Sequence, residues 1–343
     1  MNGMKDRFPE EGTIHTALEM AVRAPSLHNS QPWRWQIADG RIDLFADHSR
    51  LLRAADPDGR ELVISCGAAL HHLRVALAAL GWSSTVRRLP DRSEPRHLAS
   101  FELEPSEPTP DAVLLAAQIA RRRSDRRPYR SWDLPPFALV QMNRNAAAAG
   151  ITLRVVGDPD SRKELSMAIA AADDIESVDD GYRSEVASWS GQHFGVDDGV
   201  PARSVPADGS YDGVRLRHFA HPEMPPPTES DFEKPDVGTL LILSSTSDDI
   251  ETWLRAGEAT AAILLTATGS GLAACPLTQP LELATTRRLV RDAVLDGRTV
   301  PHMILRVGWP VTADAPPSTP RRPVAEVLDR FDDMAGGLRF AGH

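Results

Sequence analysis

The chain contains the stretch Ala24-Pro-Ser-Leu-His-Asn-Ser-Gln-Pro-Trp-Arg-Trp35, on which the prediction of its fold depends. A run with helical spacing, residues 13–23, precedes the stretch, and a strand-like run follows it. Because proline disfavours a continuing helix, Pro25 is expected to end the helix and Pro32 to open the strand. Five hydrogen-bonding side chains lie between the two prolines. They are typical of a polar wall for a flat ligand, and also of an ordinary helix-to-strand turn.

The composition bounds the class of protein. Of the 343 residues, 41% are apolar and 25% are charged, as in a globular protein with an ample core. The net charge of -10 argues against sequence-independent nucleic-acid binding, which depends on Lys and Arg. The two cysteines, Cys66 and Cys275, are expected to be buried free thiols in a reducing cytoplasm. The sequence has no signal-peptide core and no long apolar run, so no membrane partner is expected. The eleven histidines form no metal-binding pattern.

Hydrophobic periodicity divides the chain into helices and short strands. Helical spacing predicts helices over residues 13–23, 61–80, 112–122, 135–149, 161–189, 250–268, 281–295 and 324–331. Other runs predict strands over residues 33–37, 42–46, 97–103, 151–156, 239–243 and 302–307, with Asp39-Gly40 as the turn of a hairpin between the first two. Residues 191–235, the inserted segment, are rich in proline and glycine and have no periodicity. Such a stretch predicts a lid, a binding loop or a disordered segment.

Two parts of the chain resemble each other. Residues 67–81 and 257–271 are both helical runs rich in Ala and Leu, with glycines at the same spacing. A strand that begins with His and is followed by Pro comes after each run. We therefore predict an α+β protein with a duplicated unit, divided into residues 1–108 and 109–343, whose halves pack on each other. One such chain could imitate a homodimer.

A cluster of cations lies at one predicted helix end, in Arg121-Arg-Arg-Ser-Asp-Arg-Arg127. Guanidinium groups bind phosphate oxygens bidentately and a serine adds one donor, so the cluster favours a phosphate site. A solvated helix end, whose cations interact favourably with the helix dipole, explains the same residues. A second pair of cations, Arg321 and Arg322, lies between two prolines. The two clusters could converge on one phosphate.

A glycine motif near the C-terminal half of the chain, Gly269-Ser-Gly-Leu-Ala-Ala274, mimics a dinucleotide-binding fingerprint. That fingerprint follows a strand and opens a helix, whereas these glycines close a predicted helix. We therefore reject a Rossmann site. The next segment, residues 274–280, is expected to be a loop whose backbone groups could contact a ligand edge. The sequence contains no Walker loop and no nucleophile elbow, so it predicts neither a P-loop nucleotide site nor Ser/His/Asp catalysis.

Together these motifs resemble the flavin-dependent nitroreductase family, in particular its actinobacterial Acg-type branch of fused, pseudo-dimeric proteins. Residues 25–33 match the family's P-S-x-x-N-x-Q-P-W stretch, which lines the flavin from the partner subunit, and residues 122–126 match its R-x-S-x-R motif for the FMN phosphate. Residues 276–278 resemble the family segment beside the flavin ring, and residues 321–323 its C-terminal phosphate contact. The FMN-binding residues that the resemblance implies are Pro25, Ser26, Leu27, Asn29, Gln31, Arg122, Ser124, Arg126, Pro276, Leu277, Thr278, Arg321 and Arg322.

The resemblance implies a nitroreductase-like fold duplicated in one chain, with two mixed or antiparallel sheets packed with helices. The usual order of the two motifs is reversed, and each half carries only one of them. One complete FMN site is therefore expected, and the chain could function as a monomer. The implied function is an NAD(P)H-dependent oxidoreductase that reduces nitroaromatics, quinones or similar flat small molecules through FMN, with no catalytic residue assigned. The alternative is a protein that sequesters FMN beneath the inserted segment. A third interpretation is a structural protein whose arginines are only solvated.

Overall fold

The computed structural model describes residues 8–38, 40–192, 197–206, 209–224 and 238–330. The helices of these residues are α1 (Glu11–Ala21), α2 (Arg60–Ala79), α3 (Pro110–Arg121), α4 (Pro136–Ala148), α5 (Pro159–Glu176), α6 (Asp180–Ser188), α7 (Ile250–Gly269), α8 (Gln279–Glu282), α9 (Ala284–Leu289) and α10 (Val324–Val327). Their strands are β1 (Trp33–Ala38), β2 (Arg41–Ala46), β3 (Trp82–Arg88), β4 (His97–Pro105), β5 (Tyr129–Arg130), β6 (Thr152–Val156), β7 (Ser190–Gln192), β8 (Val200–Pro201), β9 (Ser210–Tyr211), β10 (Val214–Arg215), β11 (Thr239–Ser245), β12 (Ala273–Pro276), β13 (Val300–Pro310) and β14 (Leu328–Arg330).

The first large sheet has the order β14-β1-β2-β4-β3. It is a mixed sheet, because β14 runs parallel to β1 while the other neighbours are antiparallel. Ala38 lies opposite Arg41 across the tight turn of the β1–β2 hairpin, where Gly40 has a φ of 71°. The predicted hairpin is therefore confirmed, although Asp39 lies outside the described residues. Trp33 and Trp35 are fully buried on its first strand.

The second large sheet has the order β12-β13-β11-β6, and β5 pairs with the end of β13. All its neighbours are antiparallel. The order α1-β1-β2-α2-β3-β4 is repeated as α4-β6-β11-α7-β12-β13, with the same pairing of strands. Further elements interrupt this second series, namely α5, α6 and β7–β10 after β6, and α8 and α9 after β12. The predicted α+β class, with two sheets packed against helices, is confirmed. The inserted segment lies between β6 and β11, the place that the tight hairpin turn occupies in the first series.

The long helices α2 and α7 cross at two glycines. A Cβ atom on Gly67 would lie 2.0 Å from the carbonyl oxygen of Leu254, and a Cβ atom on Gly257 would lie 1.9 Å from that of Ile64. Only glycine allows this close approach of the two backbones. These glycines are the ones that the repeat in the sequence placed at equivalent positions. Length and composition alone would let α2 cross a membrane, but most of it is buried inside the protein, as in a core helix.

Several predictions of local structure are wrong. The predicted helix over 281–295 is divided into α8, α9 and a π-helical turn, Val290–Val294. The predicted helix over 324–331 ends at Val327, because the next residues form β14 and pair with β1; Phe331 lies outside the described residues. The predicted loop over 274–280 begins as β12 and continues into α8. Strand β3 was not predicted, since it lies at a sheet edge and alternates only between half-buried and exposed residues.

Candidate functional site

A cavity lies where the two series of elements meet. Residues 25–28 line it from the P-S-x-x-N-x-Q-P-W stretch, residues 25–33, which we call the first motif. Ser124 and Arg126 line it from the R-x-S-x-R motif, which we call the second motif, and residues 276–278 line it from the end of β12 onward. One face of α2, part of the inserted segment, the start of α8 and single residues of α5, α7, β12 and β13 complete the lining. The fold therefore brings together predicted site residues that are far apart along the chain.

The first motif has an unusual backbone. His28, Asn29 and Gln31 adopt positive φ angles of 47°, 57° and 51°, which few residues other than glycine adopt. The hydroxyl of Ser26 accepts a hydrogen bond from the backbone N–H of Gln31 at 2.9 Å and helps to close the turn. Such conformations cost of order 1–3 kcal/mol each and cluster at binding and active sites. The turn is thus more specialised than an ordinary connection from helix to strand.

The R-x-S-x-R motif is fixed against the second sheet through Asp125. The backbone N–H of Asp125 donates to the carbonyl oxygen of Ala274 at 3.0 Å, and its carboxylate binds Arg127. The hydroxyl of Tyr129 donates to the carbonyl oxygen of Asp125 at 2.8 Å. Asp125 lies between Arg122 and Arg126 in the chain, so these bonds orient the backbone from which both arginines extend. Arg126 enters the cavity, whereas Arg122 is not among the residues that line it.

Arg122 and Arg321 form a second cationic site next to the first motif. Both donate to the carbonyl oxygen of Arg23, at 3.2 and 3.3 Å. The Nε and Nη1 of Arg122 and the Nε of Arg321 are buried and have no hydrogen-bond partner among the described residues. Burial and the charge of Arg123 lower the pKa of Arg122 to about 10. Since an uncompensated buried charge is costly, the site favours an anion such as phosphate.

The side chains of Asn29 and Gln31 hold the inserted segment. The amide of Asn29 donates to the carbonyl oxygen of Gly199 at 3.0 Å, and the amide of Gln31 donates to that of Asp197 at 2.8 Å. The side-chain oxygen of Gln31 accepts from the backbone N–H of Arg322 at 2.9 Å. The predicted site residues Asn29, Gln31 and Arg322 therefore lie together but are not among those that line the cavity. Their observed contacts fasten the first motif to two distant segments.

Four residues of the inserted segment line the cavity: Arg215, Leu216, Arg217 and Phe219. The guanidinium of Arg126 lies 4.8 Å from the centre of the Phe219 ring. Arg217 is paired with Glu282 and lies 2.7 Å from the Nε2 of His28. Burial and the nearby charges of Arg217 and Arg126 hold the pKa of His28 well below its usual value, so the imidazole is neutral and accepts this bond. Neither Arg217 nor Phe219 was among the predicted site residues, although both belong to the alternating run Arg215-Leu-Arg217-His-Phe219.

Several known proteins are similar to this chain. No family model matches the chain. The NAD(P)H nitroreductase Rv3131 of Mycobacterium tuberculosis, a provisional name, is 44% identical over 332 residues, covering 96% of this chain and 95% of its own. The NAD(P)H nitroreductase acg of the same organism, also provisionally named, is 37% identical over 335 residues, covering 95% and 98%. A solved structure, the FMN-dependent nitroreductase NfnB from Mycobacterium smegmatis in complex with NADPH, is 16% identical, covers 64% of this chain and 98% of its own, and gives a TM-score of 0.39.

The chain therefore belongs to the nitroreductase family, as the two motifs predicted. Within that family it belongs with Rv3131 and acg, because those matches extend over nearly the whole of both chains. The expected Acg-type relationship is thus confirmed.

Proposed function

We propose that the protein is an FMN-dependent NAD(P)H oxidoreductase of the nitroreductase type. It reduces nitroaromatics, quinones or similar flat electrophiles by hydride transfer through one bound flavin. The observation that carries this proposal is the cavity on which residues 25–27, Ser124, Arg126 and residues 276–278 converge. The names of the relatives Rv3131 and acg, both given as NAD(P)H nitroreductases, support the reaction type.

The residues present fit FMN, which combines a phosphate with a flat ring system. Arg122 and Arg321 carry buried N–H groups that lack acceptors, and they would hold the phosphate. Ser26 and the backbone groups near Thr278 would hydrogen-bond the ring system. The side-chain amide of Asn29 would reach the ring only by exchanging its bonds to the carbonyl oxygens of Gly199 and Pro320. FMN accepts hydride from a nicotinamide and passes electrons to a second substrate, so the chain need only bind, orient and exclude water.

We further propose that residues 1–108 and 109–343 imitate a nitroreductase dimer and hold a single flavin. The repeated order of elements supports this division, although β14 crosses from the C-terminal half into the first sheet. The first motif precedes β1, whereas the equivalent connection before β6 is only a short turn around Gly150. One site assembled from both halves is compatible with a monomer. The two cysteines are free and buried, which favours a reducing cytoplasm.

A second candidate function is sequestration of FMN with little turnover. It is favoured by the position of the inserted segment, from which Arg217 and Phe219 enter the cavity. Asn29 and Gln31 bind backbone carbonyls of the same segment. A segment held in this way would restrict the access of NAD(P)H to a flavin beneath it. In this function the inserted segment acts as a lid.

The visible spectrum of the FMN-loaded protein, before and after anaerobic NADPH, tests both functions. Bleaching of the flavin band at a rate compatible with turnover supports the reductase. A band that persists with NADPH but bleaches with dithionite supports sequestration. Failure of the purified protein to bind FMN rejects both functions. The remaining interpretation is a structural protein whose arginines are only solvated.

A further inference from the structure

One face of α2 lines the cavity with residues at helical spacing. Ile64 and Ser65 lie three and four residues after Glu61, and Ala68 lies four and three residues after them, so all four share one side of the helix. Three of them are small or apolar, as expected for the wall of a pocket that takes a flat ligand. Glu61 is the one ionisable residue on this face. Its position is therefore unusual for a residue that serves only packing.

One carboxyl oxygen of Glu61 is buried and has no hydrogen bond among the residues that the structure describes. Glu61 is only 3% exposed, and its Oε1 has no hydrogen bond within the described part of the chain. This oxygen forms an ion pair with the Nη1 of Arg60 at 3.7 Å, beyond hydrogen-bonding distance, and that nitrogen likewise has no hydrogen bond among the described residues. The Nη2 of Arg60 instead lies 2.6 Å from both the carbonyl oxygen of Pro301 and the Nδ1 of His302. Because buried polar groups are almost always satisfied, this carboxyl is available to a molecule in the cavity.

The backbone around Glu61 is held firmly against the first motif. The carboxylate of Asp56 accepts from the backbone N–H of Glu61 at 3.0 Å and fixes the first turn of α2. One turn further along, the hydroxyl of Ser65 donates to the carbonyl oxygen of Glu61 at 2.7 Å. The same hydroxyl accepts from the backbone N–H of Leu27 at 3.2 Å. Glu61 thus lies directly beside the wall formed by residues 25–27.

The surroundings favour a carboxyl group that keeps its proton at neutral pH. Burial is the main cause and raises the pKa of Glu61 to about 8. Arg60 and Arg217 act in the opposite direction and lower it, while Asp56 and Glu282 raise it again. Carboxyl groups whose pKa lies near the working pH are suited to general acid catalysis.

We propose that Glu61 is a catalytic residue that donates a proton to the electron-accepting substrate. This inference rests on the proposed reductase function. For a quinone, NAD(P)H provides the hydride through FMN, the O–H bond of Glu61 breaks, and its proton bonds to a quinone oxygen. The carboxylate then recovers a proton from solvent. The balance is NAD(P)H plus quinone plus one proton, giving NAD(P)+ and the hydroquinone.

The first test compares Glu61→Gln with Glu176→Gln in the FMN-loaded protein. Glu176 is a buried carboxyl near Gln279 that is not among the cavity-lining residues, so it is the matched control. The flavin is reduced anaerobically and mixed with 1,4-benzoquinone in a stopped-flow instrument. We expect E61Q to slow reoxidation about 100-fold or more, the usual contribution of a general acid, and E176Q to behave like the wild type. Reoxidation in E61Q within about threefold of the wild-type rate would overturn the proposal.

The second test does not depend on activity. A titrating carboxyl in the cavity should shift the visible spectrum of bound FMN, with a midpoint near pH 8 in the wild type and in E176Q. Because burial also raises the pKa of Glu176, to about 7, the transition should be absent from the E61Q/E176Q double variant, and one that persists there would overturn the proposal. If E61Q fails to bind FMN, the wild-type titration decides, and a spectrum without a transition near pH 8 rejects the assignment.

The two proposals can fail separately. If NADPH does not bleach the wild-type flavin, the reductase function is rejected. The flavin is then reduced with dithionite, and the benzoquinone step tests Glu61 alone. A wild-type reoxidation rate that does not fall as the pH rises through about 8 would count against a proton held by Glu61.

Discussion

Replacing Arg122 with methionine should weaken FMN binding and, at the same time, stabilise the FMN-free protein. Arg122 is buried, and two of its guanidinium nitrogens have no hydrogen-bond partner within the described residues. Its positive charge is therefore uncompensated until an anion binds. Methionine retains much of the apolar stem and removes the charge. The opposite signs of the two effects distinguish an anion-binding arginine from one that merely supports the fold.

The magnitudes follow from the contacts of the side chain. Two charge-assisted hydrogen bonds to a phosphate, at roughly 1.5–3 kcal/mol each, amount to about 3–6 kcal/mol of lost binding. At 1.4 kcal/mol per factor of ten, FMN affinity should fall about 10²- to 10⁴-fold. Burial lowers the pKa of Arg122 from 12.5 to about 10, so the charged form costs about 3 kcal/mol in the folded FMN-free state. The free energy of unfolding should rise by up to that amount.

Quenching of flavin fluorescence measures the affinity, and urea unfolding without FMN measures the stability. Arg121→Met is the matched control, because Arg121 lies at the same helix end with its side chain exposed. We expect the control to change neither quantity by much. An R122M protein that binds FMN as tightly as the wild type would contradict the phosphate assignment, since the phosphate would then lie elsewhere. A loss of stability in the FMN-free variant would refute the argument about the uncompensated charge.

Three further predictions concern the helix crossing, the inserted segment and the buried acid. Gly67→Ala should destabilise the protein by about 3 kcal/mol or more in urea unfolding, because the new Cβ meets a backbone oxygen, whereas Gly12→Ala, with nothing within 4 Å, should not destabilise it. Phe219→Ala should speed the bleaching of bound FMN by NADPH, since it removes the ring over Arg126; an unchanged stopped-flow rate would show that this ring does not limit access. For Glu61 the folded-state pKa is raised from 4.5 to about 8, so its contribution to stability is present below pH 4.5 and is lost as the pH rises through about 8. The unfolding free energy of E61Q relative to the wild type should therefore grow by about 1.4 kcal/mol per pH unit between these values, and a difference independent of pH would contradict the assignment.

The sequence predicted those parts of the fold that depend on local pattern. The β1–β2 hairpin, α2 and α7 follow from periodicity and glycine spacing over short windows. The convergence of the two motifs followed from the family resemblance, because no local pattern places Arg126 beside residues 25–27. Strand β14 could not be predicted, since its three residues become a strand only through pairing with the distant β1.

The details of the site depended on contacts between distant segments. Asn29 and Gln31 belong to the family motif, but their partners are backbone carbonyls of the inserted segment, which have no signature in a sequence. Arg217 and Glu61 are marked by weaker patterns in the sequence. Arg217 is part of an alternation of arginines, and Glu61 interrupts an apolar helix face that carries Ile64 and Ala68. Periodicity identifies such residues as exceptions, but only the fold shows that both face one cavity.

The position of the inserted segment explains how it could be added without disturbing the sheet beneath it. It is part of the connection from β6 to β11, which also contains α5 and α6. The pairing of the two strands fixes Leu240 opposite Val156 and Ser244 opposite Thr152. The ends of the connection are therefore set by the sheet, and lengthening a loop costs only about 0.6 kcal/mol per doubling. In the first series the equivalent connection is the tight turn at Gly40. If the halves imitate a dimer, fusion allows one connection to stay short while the other grows over the single site, whereas in a homodimer every insertion would occur twice.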